Sequence, residues 1–303
     1  MSHLTPKTVA RALGVSESSV KRWCDQGLIE TTKTAGGHRR LLLASVLEFL
    51  RQQKFELVRP EVLGLPVTGG SGERSLQRAR SRLLDALLDG DETSALRVLM
   101  DLHVAGHRVA SICDEVVSAV FTEIGERWAC GSADVFQERR ACEICSRGLD
   151  ALRRTLPAPS AGAPHALGCA PDRDPYTLAT TAIEVVLTQA GWRATSLGSR
   201  IPFPSLERAI VRYQPRLVWL SLSYLDDEAS FLDEYHRFYE SLAGGPPLIV
   251  GGRAWTESLR RRVRFAAFGD NFAHLEDFAT SLYSAMPASE SVREPSAKER
   301  TER

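Results

Sequence analysis

The spacing of apolar residues changes abruptly at one place, the Pro- and Ala-rich stretch 157–164. On its N-terminal side the apolar residues recur at helical spacing: Leu83, Leu84, Leu87 and Leu88, then Leu96, Leu99, Met100 and Leu102, then Ile112, Val116, Val117, Val120 and Ile124. A stripe with this period gives a helix one face to bury, and Gly90 and Gly106 interrupt it. Residues 76–156 are therefore expected to form a bundle of antiparallel helices. Beyond the stretch, short apolar runs at 165–170, 192–196, 217–221 and 248–250 alternate with helical patterns at 176–190, 205–213 and 227–243. Such alternation implies about five parallel strands with helices on both faces, over residues 165–286.

The first 54 residues carry a third pattern. Thr5 and Pro6 open a helix that Gly14 ends, and Ser16 caps a second helix that stops at Gly27. Two short helices so joined make a helix-turn-helix. Residues 28–30 and 39–43 bracket a Gly-rich hairpin, with Gly36 and Gly37 at its turn, and a helix at 44–53 closes the unit. Residues 55–75, rich in Pro and Gly, read as a linker. Residues 287–303, which lack apolar anchors, read as a disordered tail.

Formal charge sums to zero over the 303 residues, yet residues 1–54 hold nine Lys/Arg and four acids. A polyanion-binding unit would carry such a local surplus. The six cysteines (24, 113, 130, 142, 145 and 169) form no disulfide framework. Neither a signal peptide nor an apolar run of membrane-spanning length is evident, so a cytoplasmic protein without a membrane partner is expected.

The run 15–29 followed by Ala35-Gly-Gly-His-Arg-Arg-Leu41 resembles the MerR-type winged helix-turn-helix. The resemblance implies a recognition helix presenting Ser18, Ser19, Lys21 and Arg22, and a basic wing with Lys33, His38, Arg39 and Arg40. Lysine and arginine there would neutralise phosphates of double-stranded DNA, while recognition-helix side chains reach base edges in the major groove. Trp23 is expected in the core of this unit.

The C-terminal α/β segment resembles the cobalamin-binding Rossmann-like domain, whose pattern is D-x-H-x-x-G, about 41 residues, S-x-L, about 27 residues, and G-G. Here Asp174, Tyr176 and Ala179 are followed after 41 residues by Ser221-Leu-Ser223, and after 27 more by Gly251-Gly252. The bundle resembles the cap of CarH- and LitR-like light-sensing regulators, which carry W-x9-E-H; this chain has Trp128, nine residues, then Glu138-Arg139. The spacing matches, but Tyr176 and Arg139 replace both cobalt-ligating histidines. Arginine stays protonated and a phenol has a pKa near 10, so neither is a ready ligand. A corrinoid would have to keep its own base, with Ser221, Ser223 and the Gly251-Gly252 loop approaching its tail. The candidate cofactor-contacting set is Trp128, Glu138, Arg139, Asp174, Tyr176, Ser221, Ser223, Gly251 and Gly252.

No nucleophile–base arrangement is evident, and no catalytic residue is assigned. Cys142 and Cys145 lie in a helical segment and read as buried thiols; His103 and His107 share a helix face and read as surface residues; no metal site is assigned. Asp226-Asp227-Glu228 reads as an acidic helix start. The chain is expected to be a DNA-binding transcriptional regulator, a repressor and not an enzyme. Its C-terminal half would form a homo-oligomer, since paired half-sites are read by dimers, and would sense a ligand or light. The alternatives are a regulator that binds no ligand, a corrinoid carrier of the methyl-carrier type fused to a DNA-binding unit, and a sensor of another small molecule in a cleft beside Trp128 and Glu138.

Overall fold

The computed structural model describes residues 3–34, 36–53, 55, 57–65 and 73–286. The tail expected at 287–303 and part of the linker, residues 66–72, lie outside them. The N-terminal unit begins with β1 (His3–Leu4), α1 (Pro6–Leu13) and α2 (Glu17–Asp25), then β2 (Thr31–Lys33), β3 (Arg39–Leu42) and α3 (Leu43–Gln53). The Thr5 and Ser16 side chains accept hydrogen bonds from the backbone of Thr8 and Ser19, satisfying otherwise orphaned N–H groups of α1 and α2. The antiparallel sheet runs β1-β3-β2. Val9, Leu13, Val20, Ile29, Leu41, Val46 and Phe49 form a separate small core, and half-buried Trp23 packs on Phe49 and Phe55 at 4.8 and 5.4 Å. Part of the expected linker belongs to this unit: a 3-10 turn at Pro60–Leu63 places Leu63 and Leu65 in the same core.

The bundle comprises α4 (Glu73–Asp89), α5 (Glu92–Val104), α6 (Val109–Ile112), a π-helical turn (Cys113–Ser118), α7 (Ala119–Ala129) and α8 (Val135–Arg153). Helices break near Gly90 and Gly106, and a further break, unexpected from the sequence, parts α7 from α8. Gly131 takes φ 76° there, a backbone conformation that favours glycine. Asp134 and Gln137 then form a reciprocal capping box that starts α8.

The last unit alternates β4 (His165–Cys169), α9 (Leu178–Gln189), β5 (Arg193–Ser196), α10 (Phe203–Tyr213), β6 (Leu217–Ser221), α11 (Glu228–Ser241), β7 (Leu248–Gly251), α12 (Glu257–Arg260), β8 (Ala267–Gly269) and α13 (Phe272–Ala285). All its strands are parallel, in the order β5-β4-β6-β7-β8. Strand order reverses at β4 and β6, so the crevice for a ligand opens at their C-terminal ends. One sheet face packs against α10 and α11. The other shares a continuous core with the bundle, from Leu83 and Leu87 through Cys145 and Leu149 to Val186, Trp219 and Leu275.

His103 departs from the expected surface position. It is 1 % exposed, and neither ring nitrogen has a hydrogen-bond partner. On the same helix Met100 and Val104 pack against the N-terminal core, so docking of that unit is what buries this turn. No helix among the described residues is long and apolar enough to cross a membrane.

Candidate functional site

Two surfaces carry the candidate residues. On the N-terminal unit, α2 buries Val20 and half-buries Trp23 and Cys24, while Ser18, Lys21 and Arg22 are exposed. The hydroxyls of Ser18 and Ser19 stand 2.8 and 2.9 Å from that of Ser16. Lys21 pairs with Glu17 at 2.8 Å. In the wing, Lys33 lies directly across from Arg39, and Thr32 from Arg40. Like charges opposed on a ladder repel; Arg39 is relieved by Asp25, 2.5 Å away at the end of α2, which ties the wing to the recognition helix. Arg22, Lys33 and Arg40 have no ion-pair partner among the described residues, and the exposed His38 closes the wing by backbone pairing with Thr34. Arg22 and Lys33 are exposed and Arg40 is half-buried, so these cations without ion-pair partners lie at the surface of one small unit, as phosphate binding requires.

The second site is a cleft of 790 Å³ where the bundle meets the C-terminal ends of the strands. The bundle contributes Val117, Phe121, Glu138 and Cys142; the other wall is built from Tyr176, Ile183, Trp219, Ser221, Ser223, Ile249, Gly251, Gly252 and Leu275. Burial pushes the Cys142 thiol up to about 11, so it is protonated at neutral pH. The Trp219 indole N–H donates to Thr180 Oγ1 at 2.9 Å. Gly252 has φ 115°, and a Cβ there would lie 2.4 Å from the Leu222 carbonyl oxygen, so the glycine serves close backbone packing at the cleft edge.

Asp174 is fully buried behind the cleft. Its carboxylate accepts from the backbone N–H groups of Ser223, Tyr224 and Tyr176 at 2.5, 3.2 and 3.0 Å, clamping the β4–α9 loop to the end of β6. Burial raises its pKa, against the pull of those donors and Arg253. The guanidinium of Arg139, on α8, stands 5.0 Å from the Tyr176 ring centroid, and that of Arg253 stands 5.2 Å from it. The structure thus gathers Glu138, Tyr176, Ser221, Ser223, Gly251 and Gly252 at one cleft, with Asp174 supporting it and the exposed Arg139 outside the lining, at the rim against the Tyr176 ring. Trp128 is not among the lining residues. It is 52 % exposed, in the last turn of α7 before the break that the sequence reading lacked. Arg253 and Trp219 were missed, although Arg253 follows Gly251-Gly252 at a strand end, which is a signal in itself.

Two further side chains are structural. His165 is placed by Thr195 Oγ1 (3.0 Å) and the Tyr213 carbonyl (3.4 Å), and Asp227, in the acidic run, caps α11. Among the described residues no group of three or more His, Cys, Asp or Glu side chains is arranged to hold a metal ion.

Residues 4–54 match the family described as helix-turn-helix domain, and residues 79–153 match the family described as B12 binding domain. The chain therefore joins a helix-turn-helix DNA-binding domain to a B12-binding-type bundle and a Rossmann-like sheet. It is homologous to two Myxococcus xanthus proteins, the HTH-type transcriptional repressors CarA and CarH. CarA is 27 % identical over 267 residues, covering 84 % of this chain and 88 % of CarA. CarH is 31 % identical over 142 residues, 46 % of either chain. Both are named as regulators rather than enzymes. The monomethylamine corrinoid protein of Methanosarcina barkeri superposes with a TM-score of 0.58 at 15 % identity, covering 68 % of this chain and 99 % of that one. That likeness defines the fold of the bundle and sheet.

The residues do not fit a cobalt ion ligated by the protein. Where the resemblance requires nitrogen donors above and below a corrin there are a guanidinium and a phenol. These two groups also touch at 5.0 Å, whereas a flat macrocycle between them needs two stacking distances, roughly 7 Å.

Proposed function

We propose that this protein is a transcriptional repressor of the MerR type, acting in the cytoplasm as a homo-oligomer that blocks promoter access. In this reading residues 1–54 hold double-stranded DNA, and the 76–156 bundle and the 165–286 sheet domain form a sensor whose cleft takes a small molecule other than a histidine-ligated corrinoid. The observation that carries the reading is the exposed basic face of α2 and the wing. Arg22, Lys33 and Arg40 supply phosphate contacts, Ser18, Ser19 and Lys21 stand where base edges are reached, and the Arg39–Asp25 pair fixes wing against helix. Homology to two named repressors supports the regulatory role.

No catalysis enters this mechanism. Glu138, Arg139, Asp174, Tyr176, Ser221, Ser223, Gly251 and Gly252 build or support the cleft, and occupancy there would bias the assembly that presents the DNA-binding units. The test is a gel shift on the chain's own promoter region with R22E/R40E. Each lost phosphate contact should weaken binding by about tenfold or more, uniformly across sequences, and reduce its salt dependence. Undiminished binding by a folded R22E/R40E protein would overturn the assignment.

A further inference from the structure

Four facts about the cleft bear on what it can hold. Its floor and one wall are apolar, with Phe121, Ile183, Trp219 and Leu275 facing the same space. Its 790 Å³ lies within the range of about 300–1,000 Å³ typical of pockets for drug-sized molecules. Arg139 and Arg253 converge on the single Tyr176 ring, and neither has an ion-pair partner among the described residues. Two cations sharing one phenol gain from its quadrupole but repel each other, and an anion between them would remove that repulsion.

The neighbouring charges narrow the ligand further. Arg260, which lines the cleft beside Arg253, stacks on Phe268 at 4.4 Å and pairs with Asp270 at 3.8 Å. Asp114 accepts the N–H groups of Phe272 and Ala273 at 2.8 and 2.9 Å, so the start of α13 is closed to a phosphate. Asp174 is saturated by its three N–H donors. Arg253 spends its Nε on the Ser223 carbonyl at 3.0 Å, but among the described residues neither it nor Arg139 is paired with a carboxylate, and Glu138 is the one acid beside them without a partner, so two positive charges stand against one negative and one negative charge on a ligand is favoured over several.

We infer that the cleft binds an amphipathic organic monoanion, whose apolar body lies against Phe121, Ile183, Trp219 and Leu275 and whose carboxylate-type head is held by Arg139 and Arg253. This deepens the sensor reading of the same cleft and names its ligand class. It does not depend on DNA binding, because occupancy is read without DNA.

The probe is 11-(dansylamino)undecanoic acid, compared with its methyl ester, on the full chain at pH 7.5. A blue-shifted dansyl emission that titrates with the acid, with the ester about tenfold weaker or worse, is expected from a charge-assisted head contact. R139Q/R253Q changes two side chains at the cleft rim, and its thermal melt should match the parent's. It should bind the acid no better than the ester, while unlabelled decanoate should displace the probe from the parent chain and decanol should do so poorly. Equal binding of acid and ester, no binding of either, or an acid preference that survives R139Q/R253Q would each overturn the inference. A loss of gel shift in R22E/R40E with probe binding intact would leave it standing, whereas a parent chain that shifts DNA but binds no probe would remove the ligand while leaving the DNA-binding reading in place.

Discussion

Where the bundle meets the sheet domain, hydrogen bonds and an ion pair cross the junction, although Trp192 Nε1 in the shared core has no partner; where it meets the N-terminal unit, the buried polar groups His103 and Arg51 Nη2 are left without partners. At the first junction Asp114 caps α13, Arg108 pairs with Glu276 at 3.0 Å, and the Val109 N–H donates to Gln189 Oε1 at 2.7 Å. The apolar core is continuous across it. At the second junction Met100 and Val104 pack on a separate core, both ring nitrogens of His103 lack partners, and so does Arg51 Nη2. Buried polar groups without partners cost free energy that apolar contact must offset. The bundle and sheet thus behave as one body, and the DNA-binding unit is the part whose attachment is weakly determined.

The largest test of that contrast is Asp114→Ala. It removes two charge-assisted hydrogen bonds at the start of α13 and should cost about 2 kcal/mol. For a unit of this size the melting temperature should fall by about 4–8 °C. Calorimetry on the full chain checks this, and an unchanged melt would mean that the junction is held by its apolar core alone.

Second in size is the response to acid at the other junction. Burial, reinforced by the nearby Arg51 charge, lowers the His103 pKa from 6.5 to about 3. A folded-state pKa below the unfolded one means that this stability is fully present above about pH 6.5 and is lost as pH falls, at about 1.4 kcal/mol per unit. Urea midpoints at pH 7.5 and 5.5 should differ accordingly, and His103→Met, which suits the apolar neighbours Met100 and Val104, should flatten the difference. An undiminished slope in that variant would show that His103 is not the group that titrates.

The contrast also tracks what the sequence made legible. Caps at Thr5 and Ser16 and the glycines at 14 and 27 are local signals, and α1 and α2 lie within a residue or two of where those signals placed them. The cleft positions were legible for a different reason. In a doubly wound sheet all strand C-termini meet at one edge, so spacing alone brings Tyr176, Ser221 and Gly251 together. His103 was misread because only a neighbouring domain buries it. Trp128 was misplaced because the Gly131 break was read as continuous helix, although Asp134 and Gln137 spell out a capping box. Strand β8, three residues long, is defined by its pairing with β7 rather than by any pattern of its own.

The smallest effect runs in the opposite direction and so sharpens the comparison. Burial, with weaker contributions from Asp277 and Asp114, raises the Glu276 pKa above 4.5, and Arg108 only partly restrains it. The folded state then holds the proton more tightly than the unfolded chain, so this contribution is full at low pH and declines as pH rises through the window above 4.5. Acid should therefore favour the bundle–sheet junction slightly while it weakens the junction at His103. In Glu276→Gln the bundle–sheet transition should lose its small gain on going from pH 7.5 to 5.5, with the His103-dependent loss left intact. If both slopes vanished together in that variant, the two junctions would be coupled, and the picture of a rigid sensor body carrying a loosely attached DNA-binding unit would fail.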